Sequence, residues 1–524
     1  MSITSVSLTQ GNWKDVATNP KVIVVLLVVL LLCFFLGDSN PRYPQFPHVG
    51  AGLLSPWLRW ETPARWRLNE YEEAGYKKYS KKGLPFVVNM YGVDAVVLPP
   101  KYLGVVRNYS AEKLSLALAL HDAKYQNLNM SAIVGDIAVA NDLEIDLVTK
   151  GINPNLERLV PLVLSEADTQ FKYNLGHIPV WKTFSAFDLC ETLVVKTSNR
   201  IMVGNHCQDP VYDKTLVKLM KTAFLCGVLW NFLPLGRLRR HWYWAASFRP
   251  RKDFRLLGNL LVPTVQHRIS DTGKPLVQKP VDVLQFATDQ PIANLEERDA
   301  YRHASRVVQL TFAGTGTIIT LLYRMMYLVI LYPEHLAVLR EEINESLQSR
   351  GGFHQKQMLD SLHLLDSFIR ESMRHYPAAC FFGQRTARDG ITLHDLKLPT
   401  RSRIVFPAVG INMDPENYED ASIFDPFRFA GPEHSRRSKG RVGSSVIDEK
   451  FLSWGFGNQA CPGRFYAVRV IKIIFGRLIY QYDLDWNDGT TQMKRHMPKG
   501  VCIEGTFLPD IKSQIRIRSR TDLP

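Results

Sequence analysis

Residues 451–465 read Phe-Leu-Ser-Trp-Gly-Phe-Gly-Asn-Gln-Ala-Cys-Pro-Gly-Arg-Phe and run almost directly into the apolar stretch Val468–Tyr480. A Gly-x-Gly turn before a helix start confines the backbone tightly and sets Cys461 where amide N–H groups and the helix dipole favour a thiolate. Pro462 is expected at the first helical position, where no N–H is required. Gly455, Gly457 and Gly463 let the backbone lie close to a flat, bulky ligand, with Trp454 available to pack on its face. One thiolate without a neighbouring ligand argues against zinc and suits axial ligation of haem iron. A buried cysteine in a glycine-rich turn is the plainer reading of the same residues.

The other six cysteines are far apart, no C-x-x-C occurs, and the total of seven is odd. A disulfide framework would be denser, so the chain is suited to a reducing compartment. Hydrophobic residues make up 46% and charged residues 22%, which excludes disorder and suits a large buried core. The body is expected to be mostly helical. Ala300–Leu331 reads as one long helix interrupted by Thr311-Phe-Ala-Gly-Thr-Gly-Thr317, and its two glycines each cost about 1 kcal/mol relative to alanine. Pro333–Arg350 and Leu359–His375 follow as helices, with strands expected at 391–393 and 403–407.

With these landmarks the chain resembles the cytochrome P-450 family over essentially residues 40–510. Trp454, Gly457, Cys461 and Gly463 stand at the spacings of its haem-binding signature. Glu371-Ser-Met-Arg374 matches its E-x-x-R, Phe424–Phe429 the segment whose arginine completes an ion cluster, and Ala313–Thr317 its oxygen-activation groove. The resemblance implies a mainly α fold, a large helical domain with a small β-rich subdomain, binding haem b. It further implies that Cys461 is the axial iron ligand, that Thr317 handles protons at dioxygen, and that Glu371, Arg374 and Arg428 form a buried structural cluster. Two departures stand out. The residue before the groove threonine is Gly316 rather than an acid, and Gln459 stands where a propionate-binding Arg or His is usual. No tryptophan occurs between Trp66 and Trp181 to supply a W-x-x-x-R, which leaves Arg385 as a substitute propionate ligand.

Upstream, Val22–Leu36 is an unbroken apolar run of 15 residues, about 22 Å as a helix against a hydrocarbon core of roughly 30 Å. With Lys21 snorkelling it reads as a single membrane anchor; a cleaved signal ending near Gly37 and Ser39 is the rival. The expected organisation is an anchor segment at 1–37, a proline-rich linker at 38–50 and the haem-thiolate domain at 51–524.

Net charge is +14, from 64 Lys and Arg against 50 Asp and Glu. Seven basic residues fall within Arg237–Arg255, interleaved with Trp242, Tyr243, Trp244, Phe248 and Phe254, a pattern suited to a lipid interface rather than nucleic acid. A second set, Arg436, Arg437, Lys439, Arg441, Lys450, Arg464, Arg469 and Lys472, flanks the cysteine loop. In the family this region receives electrons from an acidic NADPH-dependent reductase, and complementary charge would steer that encounter.

The expectation is therefore a monooxygenase held single-pass in the endoplasmic reticulum and facing the cytosol. It would insert one atom of O2 into an apolar substrate. Leu339-Arg-Glu-Glu-Ile343 and the Ala-Cys-Pro-Gly-Arg-Phe loop resemble the fungal ent-kaurene-oxidase-like branch, which implies a terpenoid of diterpene type. A steroid or triterpene hydroxylase, or a haem-thiolate isomerase or dehydratase that needs no NADPH, are the alternatives.

Overall fold

A computed structural model describes residues 43–50, 67–90, 93–121, 133–134, 143–231, 244–271, 279–292, 298–353, 356–487 and 495–522, with Val24 and Val28 of the apolar run. The expected anchor otherwise lies outside the described residues. Residues 43–50 of the expected linker pack on the body: Val49 N donates to Val87 O at 2.9 Å, Val87 N to Pro47 O, and Tyr43 is fully buried.

The principal elements are α1 (Leu68–Lys78), β1 (Phe86–Met90), β2 (Val93–Val97), β3 (Leu114–Ser115), α2 (Leu156–Asn174), β4 (Lys182–Ser185), α3 (Ala186–Val203), α4 (Pro210–Asn231), α5 (Phe248–Ser270), α6 (Val283–Asp289), α7 (Ala300–Leu331), α8 (Pro333–Arg350), α9 (Lys356–Ser361) and α10 (His363–His375). There follow β5 (Phe381–Ala387), β6 (Ile391–Leu393), β7 (Leu396–Leu398), β8 (Arg403–Pro407), α11 (Ala408–Asn412), α12 (Arg464–Gln481), β9 (Tyr482–Trp486), β10 (Val501–Ile503), β11 (Thr506–Leu508) and β12 (Gln514–Ser519).

The helices pack around α7, whose N-terminus is capped by the Asp299 carboxylate accepting from Arg302 N at 3.1 Å. Its apolar periodicity buries Val307, Val308, Ile318, Ile319, Leu322 and Met325–Ile330 against α3, α5, α10 and α12. Among the described residues α7 alone is long and apolar enough to cross a bilayer, yet 67% of its most apolar stretch is buried. It is the core helix of the body. The main sheet has the order β1-β2-β8-β5-β3, with β2 and β8 parallel and the other pairs antiparallel. A second apolar core lies on this sheet, around Val87, Val96, Leu393, Ile404, Phe406, Leu452 and Phe456.

The helix expected over Leu359–His375 is broken at Leu362, whose ψ of 75° separates α9 from α10. The Glu342 carboxylate supplies the reason, accepting from Leu364 N at 2.6 Å and Leu365 N at 3.0 Å and so capping a fresh helix start. Strands β6 and β8 lie where the sequence pattern places them.

Candidate active site

The cysteine loop is built from local turns. Gly455 N donates to Leu452 O at 2.7 Å, Ala460 N to Gly457 O at 3.1 Å, and Cys461 N back to Trp454 O at 2.7 Å. Gly457 has φ +65°, and a Cβ there would stand 2.7 Å from Arg107 Cβ and 2.9 Å from its Cα, so only glycine fits. An added Cβ at Gly463 meets nothing within 4 Å. Helix α12 starts at Arg464 with Gly463 as its N-cap, so Pro462 precedes the helix instead of opening it. The first free amides are used differently: the N–H groups of Gly463 and Arg464 point at the Cys461 sulfur. Burial pushes the Cys461 thiol up, whereas these two amides and the Arg464 guanidinium pull it down. The cysteine is accessible yet closely surrounded by protein, the signature of a side chain lining a concavity.

The middle of α7 presents a second accessible surface. Ala313, Gly316 and Thr317 are exposed and Leu310 and Thr320 half-buried, in a helix that is otherwise mostly core. Their spacing of i, i+3, i+6, i+7 and i+10 from Leu310 puts them on one face. Thr311 and Thr315 spend their hydroxyls on the carbonyls four residues back, each at 2.8 Å, and Thr320 does so at 3.0 Å. Thr317 makes no such bond among the described residues. Its hydroxyl has no partner among the described residues and lies on an open face beside Gly316. α7 packs against α12, the helix that the cysteine loop opens.

Three of the remaining sequence-derived cofactor residues have visible local roles. The Trp454 indole N–H donates to Ser444 O at 2.7 Å, and its ring packs on the main core. Gln459 spans to the strand β3 region: Nε2 donates to Leu114 O at 2.8 Å and Oε1 accepts from Leu116 N at 2.9 Å. It ties the loop to β3, leaving one amide hydrogen uncommitted among the described residues. Arg385 is 3% exposed, donates to Gln384 O at 2.7 Å and to Gln459 O at 3.4 Å, and has no carboxylate partner among the described residues. Desolvation alone pulls it down to about 10. A buried guanidinium held by carbonyls beside the loop is a ready partner for an anion.

The Glu-Arg-Arg residues converge. Arg374 Nε and Nη2 meet the two Glu371 oxygens at 2.7 Å each, and Arg428 Nε reaches Oε1 at 3.2 Å, all in a fully buried site. Two cations share one carboxylate, and backbone carbonyls absorb the excess: Asn412 and Ala421 on Arg374, Glu419 and Ile423 on Arg428. The cluster thereby clamps the 412–428 segment to α10.

Sequence reasoning did not find four other supports of the loop. Arg370 is buried over the Phe451 ring at 4.0 Å and donates to Val446 O at 2.7 Å. Asn153 Nδ2 donates to Pro462 O at 3.1 Å across 309 residues of sequence. Arg107 backs Gly457. Gly383, at φ +66° in the irregular part of β5, leaves room for Phe456, which a Cβ would meet at 2.3 Å. Each acts across a distance that no local pattern encodes.

The charge clusters divide unequally. Trp244 and Phe248 are 66% and 64% exposed, but Phe254 is buried in the core and belongs to no surface. Trp242 and Tyr243 lie outside the described residues. In the second set, Lys472 is buried against Asp366 at 2.8 Å, Arg469 pairs with Asp360, and Arg437 with Asp420 and Asp425. Arg464 is spent on Ser445 O and Cys461 O. Lys439 and Lys450 stay exposed without an acidic partner among the described residues.

The donor set fits a haem. One accessible sulfur is solvated by two amides, and among the described residues no trio of His, Cys, Asp or Glu is arranged to hold a bare ion. A metal that brings its own macrocyclic ligands needs only one protein donor.

Comparison with known proteins agrees. The cytochrome P-450 family model matches residues 147–508. The chain is 38% identical over 507 residues to cytochrome P-450 monooxygenase sirB of Leptosphaeria maculans, covering 94% of each chain. It is 27% identical to aspergilol synthase of Aspergillus ustus, covering 96% of this chain and 93% of that one. Against cytochrome P-450 monooxygenase olcJ of Penicillium canescens the identity is 28%, with 98% and 96% covered.

Proposed function

The chain belongs to the cytochrome P-450 family of oxygen-incorporating oxidoreductases with thiolate-ligated haem, and on that footing we propose that it oxidises an apolar small molecule in fungal secondary metabolism. Electrons come from NADPH through a flavoprotein reductase. The observation that carries the reading is Cys461, a lone accessible sulfur with the Gly463 and Arg464 amides aimed at it.

In this reading Cys461 Sγ holds the iron, and the two amides disperse the thiolate charge. Gly463, where an added Cβ meets nothing within 4 Å, keeps the loop thin enough for a macrocycle to lie against it, while Gly455 and Gly457 let the loop fold tightly against its own backbone and Arg107. Arg385 meets a haem propionate, supported by the Gln459 carbonyl, while Gln459 itself chiefly anchors the loop to β3. When bound, the haem supplies reductive activation of dioxygen and transfer of one oxygen atom into a C–H bond. Thr317 Oγ1, free of any intrahelical bond, holds a water and passes a proton along it. With Gly316 beside it, that proton arrives through water or a more distant side chain. The Leu310 and Ala313 face, with no charged group among its five residues, supports an apolar substrate. Resemblance to the ent-kaurene-oxidase-like branch suggests a terpenoid of diterpene type. Val22–Leu36 anchors the chain in the endoplasmic reticulum, and exposed Trp244 and Phe248, next to Arg249, Arg251 and Lys252, rest at the lipid surface.

The test is spectroscopic and chemical. Reduced full-length protein with carbon monoxide should show a thiolate-type band that Cys461→Ser abolishes; a band that survives this substitution ends the proposal. With a reductase, product carrying one added oxygen should form only when NADPH and O2 are both present. Product formation without NADPH would assign isomerase or dehydratase chemistry instead. A panel of terpene precursors then decides the substrate class.

A further inference from the structure

Cys380 and Cys502, 122 residues apart in sequence, have their Sγ atoms 3.8 Å apart. Cys380 is fully buried where the segment after α10 enters β5, and Cys502 is half-buried in the middle of β10. The backbone around them is held from several directions. Cys380 N donates to Gly505 O at 2.7 Å, Phe507 N to Ala378 O at 2.9 Å, and Ala379 bridges Thr506. Arg324, two turns beyond Thr317 on α7, fastens the same two segments by donating to Pro377 O at 2.8 Å and Phe507 O at 3.3 Å. The thiols are thus kept facing each other by structure that neither sulfur supplies. Closing to a bond length of about 2.05 Å needs side-chain rotation and a small backbone shift.

The two sulfurs are not equivalent. Cys502 shares a thiol contact with Cys380, in which either sulfur can donate, and also meets the amides of Asn69 and Gly505, and together these hold its thiol below the ordinary range. The contact with Cys502 together with burial pushes the Cys380 thiol up. The more accessible sulfur is therefore also the better nucleophile.

We propose that Cys502 and Cys380 form a peroxide-reactive dithiol site, with Cys502 the attacking and Cys380 the resolving sulfur. The Cys502 thiolate attacks hydrogen peroxide and breaks its O–O bond, giving a sulfenic acid and hydroxide, which takes up the proton released from the Cys502 thiol. Cys380 then attacks the sulfenic sulfur, loses its own proton and expels water as the S–S bond forms. Two thiols and one hydrogen peroxide become one disulfide and two waters. Hydrogen peroxide is the two-electron reduction product of dioxygen, which an oxygen-activating enzyme releases whenever reduction is not coupled to product. Only this source of the oxidant rests on the monooxygenase reading. The bond fastens the β10–β11 hairpin to the start of β5, the strand that carries Arg385 to the cysteine loop, and thiol reductants reopen it.

The test uses full-length, haem-loaded protein, reduced, desalted and treated with added hydrogen peroxide, so that turnover is not required. Intact mass should fall by about 2 Da, the two hydrogens lost, and a non-reducing peptide map should show Cys380 joined to Cys502, reversed by dithiothreitol. In Cys380→Ala, dimedone should trap a sulfenic acid on Cys502; in Cys502→Ala, Cys380 should remain untrapped. Oxidation of other cysteines with no 380–502 link would overturn the proposal, as would equal trapping of Cys380 and Cys502 in the two variants. An unchanged carbon monoxide spectrum confirms that each variant is folded. Where a variant loses that spectrum, the wild-type map alone decides.

Discussion

At the scale of single residues, function and structure are separated by how each side chain spends its polar atoms. Thr317 is the groove threonine whose hydroxyl stays uncommitted, so Thr317→Ala should leave the fold intact and disconnect oxygen reduction from product. NADPH consumption should persist while product per NADPH falls at least about tenfold, with hydrogen peroxide making up the difference. Equal losses of both would refute a proton-handling role. Glu371 is the opposite case, because all its capacity goes into two guanidiniums and the Asp425 amide. Glu371→Gln leaves two buried cations against a neutral group and should cost roughly 3–5 kcal/mol, read from the urea midpoint of the haem-loaded protein. Cys461, Thr317, Glu371, Arg374 and Arg428 were legible in the sequence because they sit in local motifs. Arg370 and Asn153 were not, since they act on partners far away in the chain.

At the scale of elements, short contacts between helices decide where pieces begin and how they dock. Glu72 on α1 is fully buried. One oxygen accepts from Gly410 N of α11 at 2.9 Å, and burial raises its pKa from the ordinary 4.5 to about 8. Glu73 lies near it on the same helix, Tyr76 and Asp414 share a 2.6 Å hydrogen bond close by, and Cys380 faces it from the start of β5. The raised value means that folding favours the protonated acid. The unfolded chain releases this proton near pH 4.5 and the folded one only near pH 8, so stability from this group is full below 4.5 and declines as pH rises towards 8. Glu72→Gln keeps the acceptor and removes the titration. Its Tm should match the wild type near pH 4.5 and exceed it near pH 8; a difference independent of pH would contradict this account. The sequence pattern reads α7, α8, β6 and β8 well because their periodicity and flanking prolines are strong. It misses the break at Leu362 because the capping carboxylate of Glu342 comes from another helix.

At the scale of the whole molecule, a charge of +14 does not make a uniformly basic surface. Arg374, Arg428, Arg370, Arg385 and Lys472 are buried cations, while Lys439 and Lys450 remain exposed to a partner. If an acidic reductase is steered by such residues, its rate of electron delivery should fall as ionic strength rises from about 0.01 M to 0.15 M and the screening length shrinks from roughly 30 to 8 Å. Lys439→Glu combined with Lys450→Glu should slow delivery at low salt and converge with the wild type at high salt. A salt-independent deficit would place these lysines outside the encounter.

The sequence by itself determined the family and which residues are candidates for the centre. A thiolate ligand, its glycine turn, the groove threonine and the E-x-x-R are read by short-range spacing, and backbone conformation and helical periodicity are short-range properties. Only the tertiary structure decided what those residues are free to do. It committed the Gln459 amide to β3, left Thr317 without a hydrogen bond among the described residues, buried Phe254 and Lys472, and set Cys380 against Cys502. Burial and pairing are long-range outcomes, fixed when segments hundreds of residues apart exclude water together.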